Sequence, residues 1–202
     1  MVEVAKNCIL SIEDVYEIDG MQDEFLKVKN DIYNKIKQFS IDCNKEFVAI
    51  GSSAAILNNL IYKQMTDIDI GILENFDKKE LRSSLSDNYK IDILDWSNFH
   101  ATLSGWQERI VDIDGIKVLS KRDMLVNMVC SLHKFNKLYN ITAIINNDNN
   151  GVNQLLIDLE TFKNEIKSSN ASGIWIERTL VNIDVASQVL SNNYTYKKFF
   201  QN

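Results

Sequence analysis

The sequence predicts an α+β fold, with a mixed sheet and flanking helices over residues 1–119 and a helical region over residues 120–202. Three observations predict it. Short apolar runs bounded by turn residues alternate with segments of helical period as far as residue 119. Beyond residue 120 the apolar positions follow the helical period alone, as in Leu155, Leu156, Leu159 and Phe162, then Leu180, Ile183 and Val189. A hydrophobic content of 45% over 202 residues is enough to build one sizeable core.

In chain order, the first element is an amphipathic helix over 22–39, where Phe25, Val28, Ile32, Ile36 and Phe39 recur at spacings of three or four. A short strand over 46–50 breaks at Gly51-Ser52. The stripe Ala54, Ala55, Leu57, Leu60 and Ile61 predicts a helix over 53–62. A second strand covers 66–73. Asp77 is an N-cap for a short helix running to Leu85. The third strand spans 89–96. Asp112-Ile113-Asp114-Gly115 reads as a turn into a fourth strand over 116–119. Ser120 caps a helix predicted to reach Tyr139. The run Asn146 to Gly151 reads as a polar loop and is the most boundary-like stretch of the chain. Two helices follow, over 152–167 and 172–192.

Composition narrows the function. The formal charge of −6 argues against broad binding to extended nucleic acid, which needs a strongly basic surface. No apolar run approaches the roughly 18 residues of a membrane span, and the first residues lack a basic start followed by a long apolar stretch. Cys8, Cys43 and Cys130 are odd in number and widely spaced, which predicts reduced thiols, no zinc site and a cytoplasmic protein.

The residues that carry chemistry lie in Thr66-Asp67-Ile68-Asp69-Ile70-Gly71. On a strand, Asp67 and Asp69 share one face while Ile68 and Ile70 occupy the other. Two carboxylates held together on a half-buried strand repel, and a cation relieves that repulsion. Magnesium suits an oxygen-only site that also holds phosphates. A third carboxylate is available on the strand Lys90-Ile91-Asp92-Ile93-Leu94-Asp95. Asp92 and Asp95 face opposite sides there, and mid-strand Asp92 is the preferred ligand, with Asp95 as the alternative. Gly51 and Ser52 open a helix, so backbone N–H groups and the Ser52 hydroxyl are placed to hold triphosphate oxygens. Lys63 precedes the Asp-x-Asp pair and is a further candidate for phosphate. The competing reading is structural: Asp67 caps a turn, Asp69 lies on a solvated edge strand and Asp92 pairs with a lysine.

Strand, Gly51-Ser52 turn, helix, Asp67-x-Asp69 strand, helix and Asp92 strand together resemble the nucleotidyltransferase superfamily of the DNA polymerase β type over about residues 46–96. Within it the chain is similar to the small bacterial branches: minimal, antibiotic and abortive-infection-type nucleotidyltransferases. The resemblance implies a nucleotidyltransferase-like sheet as the catalytic domain over 1–119. It implies two Mg²⁺ ions held by Asp67, Asp69 and Asp92, and an NTP, with ATP preferred, as donor. Transfer of an NMP to an acceptor hydroxyl would release pyrophosphate. The chain departs from the family at Gln64-Met65, where a basic residue is usual, and at Asn140.

The acceptor is expected to be a small hydroxylated or cationic molecule, with a tRNA end or a protein hydroxyl as alternatives. The rival reading is a non-catalytic nucleotide-binding or interaction module, such as a toxin–antitoxin component; on either reading a homodimer or a partner protein is a candidate assembly. Lys121 and Arg122 are candidates to face the nucleotide, and the segment 97–110, with His100 and Trp106, to line an acceptor pocket. His133, Trp175 and Phe199-Phe200 read as structural or partner-facing.

Overall fold

A computed structural model describes residues 9–63, 67–77, 79, 81, 91–96, 101–131, 136–145, 149–169 and 172–192. The expected α+β class holds. The main sheet is mixed and five-stranded, built from β2 (Phe47–Ala49), β4 (Ile68–Ile72), β5 (Ile91–Asp95), β6 (Val111–Ile113) and β7 (Ile116–Val118), in the order β5-β4-β2-β7-β6. β4 pairs parallel with β5 and antiparallel with β2, while β2 pairs parallel with β7 and β6 antiparallel with β7. The Asp114-Gly115 turn joins β6 to β7, with the Gly115 N–H donating to Asp112 Oδ1 at 2.8 Å. A separate ribbon pairs β1 (Ile9–Ser11) antiparallel with β3 (Ile61–Lys63).

The described helices are α1 (Ile12–Glu17), α2 (Met21–Cys43), α3 (Gly51–Leu57), α4 (Lys121–Cys130), α5 (Asn136–Ile145), α6 (Asn149–Ser168) and α7 (Ile174–Ser191). α2 buries Phe25, Ile32, Ile36 and Phe39, the stripe its periodicity predicts, and Phe39 meets Phe47 of β2 edge-to-face at 5.7 Å. α3 is buried on every side from Ser52 to Leu57, between α2, α4 and β4. α4, α6 and α7 pack on one another, and α5 packs on α4, so the helical region forms a bundle beside the sheet. No described helix is long and apolar enough to cross a membrane. Cys43 and Cys130 are buried free thiols, and burial pushes both thiol pKa values up; Cys8 lies outside the described residues.

Several boundaries differ from expectation for local reasons. The helix expected over 53–62 ends at Leu57. Asn58 Nδ2 caps the Ala54 carbonyl at 2.9 Å, and Asn59 enters the left-handed region at φ 56°, which stops the helix. Residues 61–63 are then free to pair as β3. β1 and α1 were not expected, although Ser11 and Asp14 form a capping box: Ser11 Oγ accepts from the Asp14 N–H and Asp14 Oδ2 from the Ser11 N–H, each at 3.2 Å. The helix expected from Ser120 to Tyr139 ends at Cys130, where Ser131 donates both its N–H and its hydroxyl to the Asn127 carbonyl, and a new helix begins at Asn136. The loop expected over 146–151 yields its last residues to α6, which begins at Asn149. The short helix expected from Asp77 to Leu85 lies mostly outside the described residues.

Gly71 has a packing role on the sheet. A Cβ there would lie 2.8 Å from the Trp96 indole, which rests on the strand and meets Trp106 edge-to-face at 5.5 Å. Gly71→Ala is expected to cost about 2 kcal/mol through overpacking, read as a lower urea midpoint at unchanged m-value. A midpoint equal to wild type would show that Trp96 moves aside freely.

Candidate metal and nucleotide site

The parity of two neighbouring strands assembles the site. β4 and β5 run parallel in register, so Asp69 lies directly opposite Asp92. Ile68, Ile70 and Ile72 of β4 and Ile91 and Ile93 of β5 occupy the buried face, and the two carboxylates take the other. Asp67 precedes β4 and is exposed. One carboxylate oxygen from each of Asp67, Asp69 and Asp92 lies within 4.8 Å of the others. Asp95, the alternative third ligand, is not part of this cluster.

Two neighbours hold Asp69 in place. The Asp69 N–H donates to Ser53 Oγ at 3.0 Å, and its carbonyl accepts from the Ile50 N–H at 3.1 Å. Gly51 has φ 56°, and a Cβ there would sit 2.7 Å from Asp69 Oδ2. The absence of a side chain at 51 is therefore what gives the Asp69 carboxylate its space.

Like charges about 5 Å apart repel by roughly 3 kcal/mol at an effective dielectric of ~20, less where water reaches them, as at Asp67. A hard divalent cation fits this cluster, because every donor is a carboxylate oxygen and Gly51 leaves room on the Asp69 side. Asp67, Asp69 and Asp92 are the residues that would hold it.

A cleft of about 180 Å³ opens beside the carboxylates, lined on the sheet side by Gly51, Asp69, Asp92, Leu94, Asp95 and Trp96. Asn127 and Ser131 of α4 and Trp175 of α7 face them across it, so the helical bundle supplies the second wall. Trp175, expected to serve in packing or as a partner surface, is a cleft residue that remains 37% exposed. Of the segment expected to line an acceptor pocket, Ala101 reaches the cleft, Trp106 is buried behind Trp96, and His100 lies outside the described residues.

The remaining candidates sit elsewhere. Ser52 is buried, and its hydroxyl accepts from Asn140 Nδ2 of α5 at 3.2 Å; it does not line the cleft. Lys63 belongs to β3 and pairs with Ile9, rather than lying in a loop, and is not a cleft residue. Arg122 makes a two-pronged pair with Asp158 of α6, at 2.9 and 2.7 Å, which raises its pKa. Gln64, Met65, His133 and Phe199-Phe200 lie outside the described residues.

Sequence reasoning missed a buried ion pair on α4, the helix that supplies part of the cleft's far wall. Asp123 of α4 is fully buried and receives Arg109 Nε at 2.9 Å and Nη2 at 2.7 Å. Its carboxylate also accepts from the Ser120 hydroxyl at 2.6 Å and the Thr102 hydroxyl at 3.2 Å. Hydrogen bonding to Asp123 is the main cause of a raised pKa for Arg109. Arg109 Nη2 also donates to the Ser104 carbonyl, and Asn127 Nδ2 to the Ala101 carbonyl, so residues 101–109 are fastened to α4. The sequence signal for part of this was present: Ser120-x-x-Asp123 is a capping-box pattern.

Compared with protein families, curated proteins and solved structures, the chain finds no match in any of the three.

Proposed function

We propose that the chain is a metal-dependent nucleotidyltransferase that moves an NMP unit from an NTP to an acceptor hydroxyl and releases pyrophosphate. The observation that carries this reading is the convergence of Asp67, Asp69 and Asp92 beside Gly51 at the rim of a cleft. Mg²⁺ bound there would neutralise the phosphate charge and polarise the reacting phosphorus–oxygen bond. Asp67 and Asp69 would hold both of two such cations. Asp92, which lies opposite Asp69, would hold the acceptor-side cation and take the hydroxyl proton. Gly51 lets the backbone approach the triphosphate. The Ser52 hydroxyl, bonded to Asn140, serves the turn itself.

The acceptor that suits this cleft is a small hydroxylated or cationic molecule. Its described lining carries Asp69, Asp92 and Asp95 and no lysine or arginine. The same observation gives weight to a second reading, a nucleotide-binding module without turnover, since Arg109 and Arg122 are both committed to buried carboxylates.

The test combines two measurements. Melting temperature is read with Mg²⁺ and each NTP in turn, and pyrophosphate release is read with the same NTPs against a panel of small hydroxylated amines, tRNA and protein. An NTP-dependent rise in melting temperature, with release on a small acceptor, is the expected result. A rise without release on any acceptor selects the binding module. No rise with any NTP removes both readings.

A further inference from the structure

Asn127 has a property the proposed chemistry does not use. It lines the cleft, yet it is only 4% exposed. Its Nδ2 donates to the Ala101 carbonyl at 3.3 Å. That bond fixes which way the amide points, because a carbonyl oxygen accepts only from the nitrogen. Oδ1 is left without a hydrogen-bond donor among the described residues. One turn on, Ser131, which also lines the cleft, gives its hydroxyl proton to the Asn127 main-chain carbonyl at 2.8 Å, which leaves its oxygen an acceptor. The α4 wall thus offers neutral acceptor oxygens on a residue that is otherwise almost wholly buried. Trp175 stands beside them with part of its indole exposed.

We propose that Asn127 and Ser131 read an exocyclic amino group on the base of the NTP, with the base stacked on Trp175. This rests on the nucleotidyltransferase reading and supplies the base preference that reading leaves open. A buried neutral acceptor matches a neutral amino donor. An ammonium group at the same place would lose its hydration without gaining a facing carboxylate from α4. A ring carrying that amine adds a flat apolar surface that an indole can cover. A site built to receive a hydrogen bond discriminates against a ligand lacking it, because its polar group is then left buried and unpaired.

The experiment titrates the full chain, in Mg²⁺, with ATP and with purine riboside 5′-triphosphate, which lacks only the amino group, and reads Kd by calorimetry. ATP should bind tighter, on the order of tenfold. In Asn127→Ala the ratio should fall to near one while ATP binding persists. Trp175→Ala, checked for a native melting transition, should weaken both nucleotides alike. Equal affinities in the wild type would overturn the amino readout, and unchanged affinities in Trp175→Ala would overturn the stacking. If neither triphosphate binds, both this inference and the nucleotidyltransferase reading fall. If both bind equally, this inference falls alone.

Discussion

Asp69→Asn is expected to lower Mg²⁺-dependent transfer by roughly a thousandfold while the fold stays intact. A bound cation contributes several kcal/mol of charge stabilisation to such a reaction, and each ~1.4 kcal/mol is a factor of ten. Asn keeps the shape of Asp and both main-chain bonds, to Ser53 Oγ and from the Ile50 N–H. It removes one of three mutually repelling charges. The variant should therefore melt at or slightly above the wild-type temperature without Mg²⁺, and lose the Mg²⁺-induced rise. Transfer at the wild-type rate would remove Asp69 from the chemistry. A variant that melts far lower even without Mg²⁺ would make Asp69 a structural residue.

Asp123→Ala is expected to produce the largest loss of stability. The substitution leaves the Arg109 guanidinium partly buried without its partner and frees the hydroxyls of Ser120 and Thr102 from the carboxylate. Removing one member of a buried pair costs roughly 3–5 kcal/mol. At about 2–4 °C per kcal/mol for a chain of this size, the melting temperature should fall by roughly 10 °C. Asp158→Ala breaks the comparable Arg122 pair, which lies between α4 and α6. The two variants should differ at the cleft. Asp123→Ala loosens residues 101–109, which Arg109 ties through Ser104 and Asn127 through Ala101, so it should also weaken nucleotide binding in the surviving native fraction. Equal nucleotide affinity in the two variants would show that the Arg109–Asp123 pair does not shape the cleft.

The parts legible in advance were those governed by short-range periodicity. The α2 stripe, the strands around Val48, Ile70 and Ile93 and the Ser120 cap follow from spacing and capping chemistry within a few residues, whereas of the turn expected over 112–115 only Asp114-Gly115 remains, Asp112 and Ile113 pairing in β6. So did the preference for Asp92 over Asp95: a residue's side of a strand depends only on parity, and Asp92 has the parity that matches Asp69 once the strands lie in register. Errors arose where a local signal was short or was overridden. The apolar stripe reaching Leu60 and Ile61 has helical spacing, but Asn58 and Asn59 end the helix and β1 supplies a pairing partner some 50 residues upstream.

What the sequence determined by itself was therefore the identity and facing of the candidate metal ligands, together with the α+β alternation that presents them. Both are properties of one or two adjacent elements. What surrounds those ligands was decided by the tertiary structure. Trp175 and Asn127 reach the cleft because α7 packs on α4 and α4 on α3, contacts between segments distant in the chain. The same packing turns Ser52 toward Asn140, and Arg109 and Arg122 toward Asp123 and Asp158. The physical reason is that a buried hydroxyl, guanidinium or carboxylate takes whichever partner the fold brings within hydrogen-bond reach, because leaving it unpaired costs more than the bond itself contributes. Periodicity records which side of an element is apolar. It carries no record of which polar groups will meet across the interface that results.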